Sequence, residues 1–497
     1  MFCKIRQFVI LRDPNGVLMN RKEKLQTALS YSSTSAPKRE GQTSVDVKTV
    51  KNENKYQSVA EFYAGKSVFI TGGTGFLGKA FIEKLLYSCK DIEKIYILAR
   101  EKKGSSIEER VNQLSHHIIF TRLKKEKPEA LKKIIPISGD ITLPNLGIKP
   151  EDEKTLTDKV SVVIHSAATV RFDEPLKVAL NINVEGTRKV LELSKRMKKI
   201  ESFVHVSTAF SNIDRPIIDE KVYPSPRPLA EAYQLAEKFG FDKRPDMKSL
   251  CNRPNTYTFT KAIAEAVVAE NRAHVPAVIV RPSCVTAMID EPMVGWVDNW
   301  FGMTALLVAI SEGSYNSLLC EPRFTFDIIP VDYITNLTIV AAAKGRKPNE
   351  VAVYNCTSSD TNPITFGEII DLFVAESVRL GHPRYPVPKY TTNKYYNELN
   401  FFIRNALPSK IGDLILRVRG KPPKHEKLLA RLYDIRDNTE YFTTNTWTMR
   451  TREARKLAST LSPEDREQFK YTVSEIHWPD YIPLCAQGAK RHLKWRS

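Results

Sequence analysis

The sequence predicts an α/β protein, a doubly wound parallel sheet with a smaller, mostly helical domain at its C-terminal side. Three observations carry this. From Lys66 to about Gly345 short apolar runs alternate with helical patterns, the order expected of strands joined by crossover helices. A glycine-rich turn, TGGTGFLG, stands between the first such strand and the first such helix. Past about residue 390 the strand-like runs give way to helical stripes.

In chain order, residues 1–56 open with MFCKIRQFVILR, basic and apolar, and continue into Ser-rich and Lys/Glu-rich stretches. There is no apolar h-region with a small-residue cleavage site, so a secretory signal is not expected. The composition suits a disordered extension, with a mitochondrial presequence as the other reading. Val68, Phe69 and Ile70 form the first strand, and Phe76, Leu77, Phe81, Leu85 and Leu86 mark the helix after it. Further strands are expected at 94–100, 133–140, 161–168, 202–209 and 277–283. NINVEGTRKVLELSKRM is an amphipathic helix with Val184, Val190, Leu191 and Leu193 on its apolar side. The proline-rich stretch 214–255 reads as an irregular surface insertion, and 344–362 as a change of composition. A helix follows at 365–380, then a Tyr- and Pro-rich link. The remainder is mostly helical, with an apolar stripe in PSKIGDLILRV, a basic one in KHEKLLARLYDIR, and a late helix opened by the capping signal at Ser462. The expected domains are 1–56, 57–378 and 379–497.

Charge and composition narrow the function. Of the net +18, residues 1–56 hold +6 (11 Lys/Arg against 5 Asp/Glu) and residues 379–497 hold +11 (23 against 12), leaving +1 for 57–378. Basic ends suit an anionic partner: a membrane surface, a CoA-type ligand or nucleic acid. A solvated basic surface gives the same count. The seven cysteines are odd in number, scattered and without a CxxC pair, which suits reduced thiols in an intracellular compartment. The nine histidines show no metal-ligand spacing, so no metal is expected. No run reaches the roughly 18 apolar residues of a membrane span.

The strand–glycine turn–helix order is what a Rossmann-type dinucleotide site needs. Gly72 permits the tight turn, Gly75 lets backbone approach a pyrophosphate, and Gly78 lets the helix pack closely with its N-terminal amides aimed at the anion. At the end of the second strand, Arg100 with Lys102 and Lys103 suits the 2′-phosphate of NADP, while Glu101 is a competing acid of the kind that binds an NAD ribose. Asp140, after the third strand, either accepts from the adenine amine or is a plain turn residue. Tyr257 and Lys261 stand at i and i+4, on one helix face. A neighbouring ammonium would lower the phenol pKa from about 10 and make Tyr257 a usable acid toward a carbonyl. Ser207 and Thr208 end the fifth strand on the same sheet edge and offer a hydroxyl to polarise that carbonyl.

The glycine turn together with YTFTK resembles the extended short-chain dehydrogenase/reductases. The family pattern points to Thr208 as the catalytic hydroxyl, with Ser207 as the other choice. The resemblance narrows further. FYAGKSVFITGGTGFLGKAFIEKLL, GDIT…LG, VIHSAATVRFDEPL, NINVEGT, FVHVSTAFSN, YTFTKAIAE, RPS…EPMVGWVDN and FDIIPVDY follow the order of the alcohol-forming fatty acyl-CoA reductases. GDLILRVRGKPP, YFTTNTWTMRT and LSPEDREQFKYTVSEIHWPDYI resemble their C-terminal domain, so the match runs from about 60 to 495.

This resemblance implies NADPH as cofactor, long-chain acyl-CoA as substrate, and Thr208, Tyr257 and Lys261 as catalytic residues. The implied cofactor site comprises Gly72, Gly75, Phe76, Leu77, Gly78, Arg100, Asp140, Ile141, Lys261, Pro282 and Ser283. His165, Asn183, Trp296 and Asp332 fall in matching motifs, though each also has an ordinary structural use; Asp332 would cap the helix after it. Reduction to a primary alcohol by two hydride transfers is the implied activity, at an endoplasmic reticulum or peroxisomal membrane, without nucleic acid, and compatible with a homo-oligomer. Relatives carry strongly apolar C-terminal helices, whereas NELNFFIRNALPSKIGDLILRV is interrupted by charge, which favours peripheral over integral association. Lys421, Lys424, Lys427 and Arg431 are candidates for the CoA phosphates. A reductase acting on a sterol or sugar nucleotide, and a silent membrane-binding scaffold, are the competing readings.

Overall fold

The computed structural model describes residues 56–495 apart from 102–106, 242–244, 301, 316, 387 and 494. The expected N-terminal extension, except Tyr56, and Lys102 and Lys103 lie outside the described residues. Residues 57–497 make one compact unit.

Its centre is a seven-stranded sheet of β1 (Ser67–Thr71), β2 (Ile95–Ala99), β3 (Ile134–Ser138), β4 (Val160–His165), β5 (Ser202–Val206), β6 (Ala277–Pro282) and β7 (Ala352–Cys356). All neighbours are parallel and the order is β7-β6-β5-β4-β1-β2-β3. The chain therefore runs outward from β1 to β3 and returns to β4 on the other side. That reversal opens a crevice beyond the carboxyl ends of β1 and β4, where ligands bind in such sheets. Six strands fall where the apolar runs predict them. The seventh, AVYNC, lies inside the stretch read only as a change of composition, because a five-residue run with a central tyrosine and asparagine carries little periodicity.

Period-2 geometry sorts each apolar run onto two faces. Val68 and Ile70 join one core cluster and Phe69 the other; Val162 and Ile164 part from Val163 in the same way. The first face is covered by α1 (Phe76–Ser88) and α4 (Val331–Lys344), the second by α2 (Gly186–Lys195) and α3 (Thr256–Asn271). Such burial on both sides explains why the strands read as continuous apolar runs. α4 is buried from Val331 to Ala343, and the helix Met303–Ser311 is buried at all but Thr304. Among the described residues no helix is long and apolar enough to cross a membrane.

The insertion at 214–255 is less irregular than its prolines suggest. It holds the helix Leu229–Phe239, whose Ala232 and Ala236 pack beside α3 residues Phe259 and Ile263. Asp332 does not cap α4, since it lies within the first turn; its carboxylate instead accepts the amides of Ile289 (3.2 Å) and Asp290 (2.8 Å).

After β7 come α5 (Phe366–Arg379) and, past the expected boundary at 378/379, α6 (Leu407–Val418), α7 (His425–Thr443) and α8 (Trp478–His492). Thr365 and Glu368 form a capping box on α5. Two short parallel pairings stitch the chain past that boundary to the chain before it: Lys389–Thr391 with Ser317–Leu319, and Thr448–Met449 with Ile217–Ile218. The Tyr481 hydroxyl on α8 is 2.6 Å from both Thr286 Oγ1 and the Ala287 carbonyl.

Candidate active site

A cavity of about 620 Å³ opens at the carboxyl ends of the strands. Gly72, Gly75, Phe76, Leu77 and Gly78 line it after β1, Val206, Ser207 and Thr208 at the end of β5, Tyr257 and Lys261 from α3, and Pro282 and Ser283 at the end of β6. Ten of the residues expected from sequence thus meet in one space, Thr208, Tyr257, Lys261, Pro282 and Ser283 joining the five of the glycine turn. Arg100, Asp140 and Ile141 do not line it; they stand at the ends of β2 and β3.

The turn after β1 has the geometry a phosphate cradle requires. Gly72 has φ +75°, and a Cβ there would lie 2.8 Å from the Ala167 nitrogen. A Cβ on Gly78 would lie 2.2 Å from the Gly72 carbonyl oxygen, so α1 starts against the turn itself. Gly75 is the N-cap and offers no side-chain acceptor, which leaves the first amides of α1 for an anion. Ser283 Oγ is buried without a hydrogen-bond partner beside this cavity. An uncapped helix start and an orphaned hydroxyl fit a dinucleotide running from turn to β6.

Arg100 is exposed, its guanidinium 3.8 Å from Asp140 Oδ2. Asp140 Oδ1 accepts both the amide and the hydroxyl of Thr142 at 2.8 Å, so the carboxylate shapes the turn after β3 while its other oxygen faces Arg100. Ile141 packs against Gly186 at the start of α2.

In the reacting centre, Lys261 Nζ donates to the Val206 carbonyl (2.7 Å) and lies 3.2 Å from His205 Nε2. Burial pushes its pKa down to about 7, with the Glu265 carboxylate working the other way. The phenol of Tyr257 departs from the expected direction. Burial pushes it up to about 12, with Thr208 opposing, because the ammonium is engaged by β5 rather than by the phenol. Tyr257 is therefore fully protonated near neutrality, a donor and an acid. Thr208 Oγ1 donates to the Pro282 carbonyl at 3.5 Å and accepts the Phe210 amide, which caps the turn Ala209–Asn212. Ser207 is spoken for: its hydroxyl donates to Glu265. The geometry favours Thr208, whose own donation to Pro282 is long, over Ser207, which is held by Glu265.

The remaining motif residues serve the frame. His165 bridges Thr71 Oγ1 (2.7 Å) and Thr187 Oγ1 (2.9 Å), and burial holds it neutral, its pKa lowered to about 3. Asn183 ties both backbone groups of Thr169 to Thr260 Oγ1 on α3, fixing the loop that carries Phe172. Trp296 is buried with its ring 5.0 Å from Phe76.

Sequence reasoning missed one wall. Asp434, Asn438, Thr439, Phe442 and Thr443 of α7 line the same cavity as Tyr257 and Lys261 of α3. Phe172 stacks on Tyr257 at 5.8 Å and meets Phe442 at 5.5 Å. Nothing local in KLLARLYDIRDNTEYFT signals this, since the pairing is made by the fold. Glu265 was also missed, although it continues the Tyr257–Lys261 spacing by one more turn.

Two family profiles described as "Male sterility protein", the first an NAD-binding one, match residues 70–338 and 404–494. Fatty acyl-CoA reductase 1 of Xenopus laevis is 38% identical over 446 residues, covering 88% of this chain and 86% of that protein. The chain belongs to the fatty acyl-CoA reductase family. The human fatty acyl-CoA reductase 1 is 36% identical over 445 residues, with the same coverage of 88% and 86%. Bos taurus fatty acyl-CoA reductase 2 is 35% identical over 443 residues, again covering 88% and 86%. Membership makes this fatty acyl-CoA reductase homologue an oxidoreductase with a nicotinamide-cofactor domain. Among solved structures, the terminal R domain of the myxalamid PKS-NRPS pathway matches with TM-score 0.58 at 19% identity, covering 87% of this chain and 92% of that one. The R domain of a nonribosomal peptide synthetase from Mycobacterium tuberculosis matches at 0.59 and 16%, also over 87% and 92%. These two share the fold.

Proposed function

We propose that the protein reduces long-chain fatty acyl-CoA to the primary alcohol with NADPH, in two rounds at one centre. The observation that carries the reading is the convergence of the glycine turn, Thr208, Tyr257 and Lys261 on one cavity that α7 also lines. Gly72 to Gly78 would hold the pyrophosphate, Arg100 the 2′-phosphate, Asp140 and Ile141 the adenine side, and Lys261, Pro282 and Ser283 the nicotinamide riboside. When bound, this cofactor supplies the hydride.

In the first round Thr208 and Tyr257 donate hydrogen bonds to the thioester oxygen as it gains charge. Collapse of the resulting hemithioacetal breaks the C–S bond, expels CoA and leaves an aldehyde. In the second round the same donors meet the same oxygen, and Tyr257 gives it a proton, since its phenol is neutral at working pH. The balance is acyl-CoA, two NADPH and two protons to alcohol, CoA and two NADP⁺. NADPH oxidation with acyl-CoAs of graded chain length, the product identified by mass, tests this. Release of aldehyde alone would sink the second round, and no turnover would favour the scaffold reading.

The substrate's lipid nature also suggests where the enzyme works. Half of the large exposed apolar side chains among the described residues fall between Tyr395 and Leu428, including Leu399, Phe402, Ile403, Leu414 and Val418. Arg404, Lys410, Arg417, Arg419, Lys421, Lys424 and Lys427 are interspersed with them. Apolar and basic side chains on one helical surface suit an anionic bilayer. Flotation with phosphatidylserine vesicles checks this; Leu414→Glu with Val418→Glu should abolish it, and unchanged flotation would remove the idea.

A further inference from the structure

Behind the catalytic residues lies a buried ion pair that the mechanism above does not use. Glu265 and Arg281 are 1% and 0% exposed. Arg281 Nε donates to Oε1 at 2.9 Å and Nη2 to Oε2 at 2.7 Å, a bidentate fork. The carboxylate also accepts from Ser207, from Ser211 Oγ at 3.1 Å and from Asn212 Nδ2 at 3.3 Å. The remaining Arg281 donors take the Asp219 carbonyl (3.0 Å) and the Lys221 carbonyl (2.9 Å).

Burying two charges costs free energy that an apolar pair of the same volume would not, so stability alone is a poor reason for this arrangement. Its attachments point elsewhere. Ser207 precedes Thr208, and Ser211 and Asn212 sit in the turn that Thr208 caps. Glu265 stands one helical turn beyond Lys261 and two beyond Tyr257, and Arg281 immediately precedes Pro282 and Ser283. Asp219 and Lys221 adjoin the strand Ile217–Ile218, which pairs with Thr448–Met449 of the C-terminal domain.

We propose that Glu265 and Arg281 are positioning residues of the reductase centre: the pair locks the ends of β5 and β6 to α3, and so holds Thr208, Lys261 and Ser283 in place around the cavity. This deepens the functional reading above and rests on it for the reaction. Asp173 and Asp434 also line the cavity, while the groups that β5 sets against Lys261 are uncharged. From β5 His205 lies beside the ammonium, with His165 stacked 5.5 Å behind, and burial together with the Lys261 charge holds both imidazoles neutral. Tyr257 on the same helix is neutral, and Arg281 on β6 is cationic.

The test is Glu265→Gln in the full chain, which keeps the shape and removes the charge. The Arg281 cation is then left buried without its carboxylate, and the Lys261 ammonium on the same helix as residue 265 loses its proton more easily. The pH above which kcat/KM falls should move down by about one unit, the size expected for loss of a nearby buried carboxylate. The pH dependence of NADPH affinity, read by fluorescence, should move with it. At pH 8 kcat should drop about tenfold for that one-unit move, with the acyl-CoA KM little changed. Glu265→Asp retains the charge on a shorter stem and should keep the wild-type pH limb while lowering kcat. A merely structural role would shift the melting temperature and leave the limb in place; that result, or wild-type kcat in Glu265→Gln, overturns the proposal. Should Glu265→Gln not fold, Arg281→Lys replaces the fork by a point charge, and unchanged kcat there overturns it equally. Wild type assayed in parallel separates the two claims. If wild type does not turn over acyl-CoA the functional reading fails, and the NADPH affinity profile still decides the role of Glu265.

Discussion

Two helices that line the cavity, α3 and α7, follow opposite rules. α3 is buried from Thr258 to Val268 and carries its ionisable groups, Lys261 and Glu265, inward. α7 buries one stripe, Leu429, Leu432, Ile435, Thr439, Phe442 and Thr443, and turns Lys427 and Arg431 to solvent. On α3 Lys261 donates to the Val206 carbonyl and Glu265 accepts the Arg281 fork, both from strands of the sheet, and Tyr257 and Lys261 shift in pKa because they are desolvated. α7 works by shape, with an aromatic contact from Phe442 to Phe172, which itself stacks on Tyr257. The comparison teaches a division of labour in which the ionisable groups of α3 are held against the sheet and α7 supplies a wall of polar and aromatic side chains.

The sharpest way to break that division is Tyr257→Phe. It should lower kcat about 10³-fold, within the range for loss of a general acid, and leave NADPH affinity unchanged in a fluorescence titration. A modest loss would move the acid elsewhere. Next, Arg100→Ala should raise the NADPH KM by about 10–100-fold, the worth of a charge-assisted hydrogen bond, and leave the NADH KM alone. An equal effect on both cofactors would return the choice to Glu101.

Lys261 gives the pH dependence. Its pKa is lowered to about 7, so it is cationic below and neutral above that value. If the cation is needed, kcat/KM should fall about tenfold per unit as pH rises beyond 7; a flat profile from pH 6 to 9 would show that the charge is not used. Gly78→Ala forces a Cβ onto the Gly72 carbonyl. It should cost about 1–3 kcal/mol of stability, as overpacking does, and weaken NADPH binding, both measurable by thermal melts with and without cofactor. The smallest effect is expected on α7: Phe442→Ala should raise the KM for a long acyl-CoA about threefold to tenfold, the worth of roughly 1 kcal/mol of lost apolar contact, while sparing NADPH. An effect as large as that of Tyr257→Phe would end the comparison.

Much of this was legible in the chain. Strand runs, the glycine turn and the Tyr257–Lys261 spacing are local, because turn geometry and helix periodicity are decided within a few residues. Family resemblance carried Thr208 and the substrate class. The direction of the Tyr257 shift was not legible, because burial and the engagement of Lys261 by Val206 depend on how α3 seats on β5. Nor was β7, whose place at the sheet edge is fixed by pairing with β6.

By itself, then, the sequence determined six of the seven central strands and which residue types could bind a dinucleotide and donate a proton. Only the tertiary structure decided that α7 lines the site, that Ser207 is taken by Glu265, and that Arg281 neutralises that carboxylate from another strand. The reason is physical. Backbone preference acts over neighbouring residues, whereas desolvation and charge pairing act through space between segments that the chain order keeps apart.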